Sequence, residues 1–396
     1  MAVTLRDRIR SVLAEAPVFD GHNDLPWELR RRVGGDLDRL DLRRDQTATG
    51  LHTDLPRLRA GGVGAQFWSI WSPDDTPDVD PVTAALEQLD LVRRMVARHP
   101  DALALASSAD ELEAARAAGR VASLAGVEGG HQIGNSLAVL RMLYALGARY
   151  LTLTHLNNTD WADSATDAPR VGGLSPFGRE VVRELNRLGM LVDLSHVAPA
   201  TMDAALDVSV APAFFSHSSA RALCDHPRNV PDTMLERVRN SGGVVMVTLV
   251  TGYLDEGCRV WMDALTAEEA RLSASYVRDD PAWYAGRDAW IAANPSPPCG
   301  VGVVADHVEH VRTVAGVDAV GIGGDYDGMP TAPDGMPDVS GYPALLAALA
   351  ERGWSDVDLA KLTWGNALRV LRETESVGGT VRAARAPSTA TFAELG

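Results

Sequence analysis

Short apolar, β-branched runs alternate with one-sided helical stretches along nearly the whole chain. The strand-like runs fall at 17–22, 63–70, 120–127, 149–154, 190–195, 212–216, 243–250 and 318–323. Between them, TAALEQLDLVRRMVARH (83–99) spaces its apolar residues by three and four, the period of an amphipathic helix. SPFGREVVRELNRLG (175–189) opens on Ser-Pro and closes on Gly189, a helix start and stop. PATMDAALDV, PDTMLERVRNSG and VADHVEHVRTVAG follow the same logic. Strands that stay apolar on both faces, with helices between them, imply a parallel sheet. Eight such units predict an α/β fold, a closed (β/α)8 TIM-type barrel spanning residues 1–380 as one domain. Residues 381–396 read as a loosely held C-terminal tail.

The alternation breaks at 251–300, between the seventh and eighth strands. This insert carries Trp261, Tyr276, Trp283, Tyr284 and Trp290 and predicts two or three short helices. A barrel loop of that length is usually functional, so it is read as a lid over the mouth. Its alternative is a decoration that packs its own aromatics. SPDDTPDVDP (72–81) reads as a polar, Pro-rich loop after the second strand.

Composition narrows the class. The chain has 396 residues, 46% of them hydrophobic, enough for a large buried core. The net charge of −16 argues against nucleic acid as a partner, because neutralising phosphates requires a basic face. No run of 18 apolar residues occurs, so no membrane span is expected. No signal-peptide core is visible near the start. Cys224, Cys258 and Cys299 form no CxxC and fit a reducing, cytoplasmic setting. The single lysine, Lys361, falls in the last helix, so lysine chemistry has one remote candidate.

The decisive pattern is what stands at the strand ends. Six strands finish on metal-ligand side chains: VFDGHND, SLAGVEGG, LTLTH, LVDLSH, FFSH and VGIGGDYDG. In a barrel those ends converge on one face. His22 and Asp24 form an HxD pair, whose members share a face and can reach one cation. Glu128 precedes two glycines that would let backbone and metal approach closely. A carboxylate there can bridge two divalent ions, and no strand offers a lysine for that role. His196 and His217 end adjacent strands and suit zinc as neutral imidazoles. Asp20 and Asp193 lie near these histidines as candidate supporting acceptors. Asp325 can ligate a metal or act as general base toward metal-activated water. Asp327 is two residues on and could share that face. His155 fits a role against developing oxyanion charge better than a further ligand role. Arg228, in the loop after the sixth strand, can clamp a substrate carboxylate. His52, His99, His131, His226, His307 and His310 read as structural.

At these residues the sequence resembles the membrane (renal) dipeptidase family of zinc peptidases, whose fold is an amidohydrolase-type barrel. The resemblance runs from FDGHNDLP through VEGGHQIGNSLAVLRMLYALGARYLTLTH, NNTDWADS, GLSPFGREVVRELNRLGMLVDLSH, FSHSSARALCDHPRNVPD and GIGGDYDG to GNALRV. It implies two Zn²⁺ ions, one on His22 and Asp24 and the other on His196 and His217, bridged by Glu128. It implies that Asp325 transfers protons, that His155 polarises the substrate, and that Arg228 meets the substrate's C-terminal carboxylate. The implied substrates are small dipeptides, including L-Xaa-D-Xaa. A homodimer is compatible with the family. The animal members are secreted and lipid-anchored with disulfides, whereas this chain looks like a soluble bacterial relative and neither feature is expected of it. The alternative reading is a binuclear-zinc amidohydrolase acting on N-acyl amino acids or lactones. Deaminase and phosphotriesterase-type barrels usually begin on HxH, whereas this chain begins on HxD.

Overall fold

In the computed structural model, residues 4–73, 80–276 and 280–396 are described. Part of the Pro-rich loop (74–79) and three residues of the insert (277–279) lie outside them. The strands are β1 Val18–Asn23, β2 Val63–Ile70, β3 Leu103–Leu105, β4 Val121–Glu128, β5 Ala148–Thr152, β6 Leu191–Asp193, β7 Phe214–Phe215, β8 Val244–Val247 and β9 Val320–Ile322. Every ladder between them is parallel. β1 pairs with both β2 and β9, and β2 pairs with β4, so eight strands close into a barrel.

β3 is an addition to the expected set. It pairs with the start of β4, Leu103 opposite Val121, while the end of β4 pairs with β5, Glu128 opposite Thr152. One edge of β4 is thus shared by two strands, one below the other. β3 has only three residues, too few for periodicity to reveal. The later strands are also shorter than their apolar runs predict. β7 covers two residues of the expected 212–216, because the flanking residues leave the ladder for the loop that carries His217.

The barrel interior is filled by aromatics. Phe67 of β2 lies 6.1 Å from Phe214 of β7 and 4.8 Å from Tyr150 of β5, ring centre to ring centre. β2 and β7 do not pair, so these contacts cross the lumen. Phe19 stacks on Phe67 at 5.7 Å, and Trp364 closes on Phe19 from the final helical region. Each buried ring of this size contributes roughly 1.5–3 kcal/mol relative to exposure.

The helices form where their caps predict. Ser175 accepts the Gly178 N–H, and Gly189 takes the left-handed conformation at φ 76°, closing the helix Pro176–Leu188. The insert folds as helices Thr251–Leu254, Glu256–Ser273 and Pro281–Ala293; the middle one is 18 residues long, not short. The expected loose tail is held in place. Arg385 pairs with Glu180, Arg141 donates to the Ser388 carbonyl, and Phe392 packs edge-on against Phe177 at 5.5 Å. Among the described residues, no helix is long and apolar enough to cross a membrane.

Candidate metal centre

The carboxyl ends of the strands meet in one buried cluster. Glu128 is the last residue of β4, and His22 lies in β1 with Asp24 just beyond it. His196, His217 and Asp325 stand two or three residues past β6, β7 and β9. Three trios bring their ligand atoms within 4.8 Å of one another among the described residues: His22, Asp24, Glu128; Glu128, His196, His217; and His22, His217, Asp325. Glu128 belongs to two of them, and its oxygens divide. Oε2 lies 3.3 Å from His22 Nε2, whereas Oε1 lies 3.1 Å from His196 Nε2 and 3.5 Å from His217 Nε2.

Backbone geometry builds this convergence. His196 (φ 69°), Asp325 (φ 60°) and Asp327 (φ 67°) are three of the four non-glycine residues in the left-handed region among those described. Each such residue costs about 1–3 kcal/mol, and such strain concentrates at functional sites. Asp325 is held there as its N–H donates to the His22 carbonyl, and Ala165 N–H holds the His196 carbonyl. Gly328 has no side chain for a physical reason: a Cβ there would stand 2.1 Å from Asp24 Oδ2 and 2.6 Å from Asp325 Oδ1. The glycines after Glu128 have another cause than metal approach. Gly129 adopts φ 116°, and a Cβ on Gly130 would meet the Leu153 carbonyl at 2.4 Å.

A second layer of hydrogen bonds orients the ligands. Tyr150 rises from the aromatic lumen, and its hydroxyl lies 2.8 Å from His22 Nδ1. Ser216 donates to Asp193 Oδ2 at 2.6 Å. Its one proton is thereby used, so its oxygen accepts from His217 Nδ1–H at 2.8 Å. His217 therefore presents an unprotonated Nε2 to the cluster. Asp193 also accepts from Thr152 and from the Ser195 and Ser216 N–H groups. Asp193 thus supports His217 through Ser216, while Asp20 accepts the backbone N–H of His22 and Gly324 and fixes the strand ends instead of a ring. Ser69 donates to Glu128 Oε2.

Electrostatics sets the protonation states. Burial, reinforced by the charge of Arg228 and the neighbouring imidazoles, holds His196 and His217 well below the ordinary histidine value. Burial also pulls on His22, but Glu128, Tyr150 and Asp24 outweigh it and raise His22 well above 6.5. Burial lifts the Asp325 carboxyl well above the usual range, with Asp24 and Glu128 adding to the rise against the pull of His22 and Arg228. Burying this many acidic and imidazole groups together is costly unless a cation joins them. His22 Nε2 has no hydrogen-bond partner, and the Nε2 atoms of His196 and His217 face each other at 2.9 Å. Nitrogen and carboxylate donors in this disposition fit divalent metal ions.

The remaining expected residues divide. His155 lines the cavity, its Nε2 3.9 Å from Glu128 Oε1. Asp327 does not join the ligand trios. It turns to His52, accepting the His52 N–H at 2.7 Å while its own N–H donates to His52 Nδ1. Burial pushes its carboxyl up to about 7. Arg228 is 1% exposed and donates to the His217 carbonyl and Ser218. Its guanidinium lies 5.4 Å from the ring of Tyr253, and it is Tyr253 that faces the cavity. Sequence reasoning missed Trp71, Tyr150, Ser216 and Ser69. Trp71 follows β2, one of the two barrel strands whose ends bear no ligand type, and a lumen tyrosine needs a hydroxyl partner.

The cavity above the cluster measures about 770 Å³, within the usual range for small-molecule sites. The insert walls it with Met262, Leu265, Trp283, Tyr284 and Ile291. Trp261 and Trp290 instead pack the insert's helices together at 5.9 Å. The insert thus lines the cavity with some of its aromatics and packs others among themselves.

Comparison with known proteins agrees with this architecture. The family described as membrane dipeptidase (peptidase family M19) matches residues 6–385. The chain is 42% identical to mouse Dipeptidase 3 over 378 residues, covering 94% of this chain and 67% of the mouse protein. It is 40% identical to an uncharacterized dipeptidase of Schizosaccharomyces pombe, covering 93% of this chain and 84% of the yeast protein. Among solved structures, the probable dipeptidase PvdM from Pseudomonas aeruginosa superposes with a TM-score of 0.80 at 25% identity, covering 94% of this chain and 99% of that one. A metallopeptidase from Rhodobacter sphaeroides, liganded with a phosphinate mimic of the dipeptide L-Ala-D-Ala, gives 0.74 at 28% identity, covering 91% and 99%. With the family match spanning nearly the whole barrel and the ligand-type residues gathered at its mouth, the chain belongs to the membrane dipeptidase family, peptidase family M19, and is a metal-dependent dipeptidase.

Proposed function

We propose that this protein hydrolyses dipeptides, L-Xaa-D-Xaa among them, with two Zn²⁺ ions. His22 and Asp24 would hold one ion, His196 and His217 the other, and Glu128 would bridge them. The observation that carries this reading is the division of Glu128, one oxygen toward each imidazole set. The ions would supply Lewis acidity, making water nucleophilic near neutral pH and polarising the scissile carbonyl.

The chain's own residues supply the rest. Asp325 accepts the proton of the attacking water and delivers it to the departing amine; its raised affinity for protons suits both halves of that task. His155 faces the oxygen on which charge develops. Arg228 provides the positive field that seats the free C-terminal carboxylate, with Tyr253 standing between guanidinium and cavity. Recognition through the carboxylate and the bond leaves the direction of the C-terminal side chain weakly constrained. The phosphinate ligand of the Rhodobacter sphaeroides relative supports acceptance of a D-residue there. The three cysteines are buried and unpaired, which supports a reducing compartment such as the cytoplasm.

The test is a dipeptide panel on zinc-loaded protein, with N-acyl amino acids and lactones as competing arms. L-Ala-D-Ala and L-Ala-L-Ala should both turn over, and strict L,L selectivity would defeat the stereochemical part. Asp325→Asn should keep both ions by elemental analysis and lose most turnover. Wild-type rates in that variant would remove Asp325 from the mechanism.

A further inference from the structure

The residue that follows β2 controls what His155 can do. Trp71 Nε1 lies 3.2 Å from His155 Nδ1. An indole nitrogen can only donate. His155 Nδ1 must therefore offer its lone pair, and a neutral ring then carries its proton on Nε2. That Nε2 is the atom nearest the centre, 3.9 Å from Glu128 Oε1. Trp71 is itself fixed by Trp27, edge to face at 4.5 Å, and both rings line the cavity.

Resting on the dipeptidase reading above, we propose that Trp71 is a positioning residue that sets the tautomer of His155. The consequence is double. With a proton on Nε2, His155 donates to the carbonyl oxygen as it becomes an oxyanion, the contact that lowers the barrier. The same proton occupies the lone pair through which the ring would otherwise bind a metal ion. The distinction matters because the ring stands close to the ligand histidines, its centre 4.5 Å from that of His196. In the opposite tautomer two N–H groups would face each other at Trp71, and a lone pair would face the growing negative charge. The tryptophan thus separates donor from ligand within one crowded set of imidazoles.

Selective ¹⁵N-histidine NMR on the zinc-loaded protein tests this, with His155→Gln used to assign the signals. The wild type should show His155 with a protonated Nε2 and an unprotonated Nδ1. Trp71→Phe preserves an aromatic ring and removes the N–H. The variant should show a mixed or inverted tautomer, unchanged zinc content, a kcat lower by roughly tenfold and a KM within a factor of about two. That loss is smaller than the removal of an oxyanion donor itself, because the tautomer is redistributed, not deleted. A protonated Nδ1 in the wild type overturns the proposal without any variant. So does Trp71→Phe with the wild-type tautomer and rate. If the wild type turns over no dipeptide, the functional reading fails while the tautomer measurement still stands on its own.

Discussion

The two halves of the proposed two-metal centre are built on different plans. The His22–Asp24 half rises directly from β1, and its imidazole is supported from beneath by Tyr150, a side chain of the barrel lumen. The His196–His217 half stands on loops beyond two very short strands, β6 and β7, and is supported from the side by the Asp193–Ser216 pair. Their electrostatics also oppose. Carboxylates raise His22, whereas burial and Arg228 depress His196 and His217. A packed interior can aim one ligand, but ligands carried by loops require a hydrogen-bonded brace, here paid for with a buried aspartate. Glu128 is where the two plans join.

Breaking that joint should have the largest effect. Glu128→Ala is expected to release both ions and lower turnover by about a thousandfold, as the loss of several kcal/mol of metal assistance implies. Zinc stoichiometry and kcat measured together check this, and retention of two tightly bound ions would contradict a shared bridge. Next come the two supports. Ser216→Ala should weaken zinc by roughly 10–100-fold at the His196–His217 half alone. It should also destabilise the fold by about 1–3 kcal/mol, because buried Asp193 loses a donor. Tyr150→Phe should weaken only the His22–Asp24 half over the same range, with little change in thermal stability. Chelator titration followed by metal analysis distinguishes the two, since each variant should lose one ion before the other.

A smaller effect concerns the loop that backs the second half. His226 accepts the Arg228 N–H at 3.1 Å, and burial pulls its pKa to about 3. The unfolded chain binds a proton near 6.5 that the folded chain refuses. Stability from this group is therefore full above 6.5 and is lost as pH falls toward 3. Between about pH 7 and pH 5, the wild type should lose more Tm than His226→Gln does. Equal losses in the two proteins would show that His226 is not the group responsible.

The cluster at the barrel mouth was legible because its chemistry is marked. An acid or imidazole at the end of an apolar strand stands out, and the barrel's geometry says where such ends go. The supports were not, because serine, tyrosine and tryptophan are ordinary at those positions. Their roles depend on register between distant segments, such as Thr152 opposite Asp193 and Asp193 opposite Phe214. Asp327 shows the converse limit. Its spacing from Asp325 suggested a shared face, but both residues adopt left-handed backbone, so the alternation of an extended strand does not apply. β3 escaped notice because it is short, and the ends of β6 and β7 because their apolar runs continue into loops. The reasons for Gly129 and Gly130 are invisible before the fold is known: a positive φ at the first, and crowding by Trp161 and the Leu153 carbonyl at the second.

Tyr150 belongs at once to the packed lumen and to the ring that grips His22. Any redesign of that interior for heat resistance would re-aim an imidazole as a side effect. Variants selected only for a higher melting point, with substitutions at Phe67 or Phe214, should drift in metal affinity even though neither residue belongs to the ligand trios among the described residues.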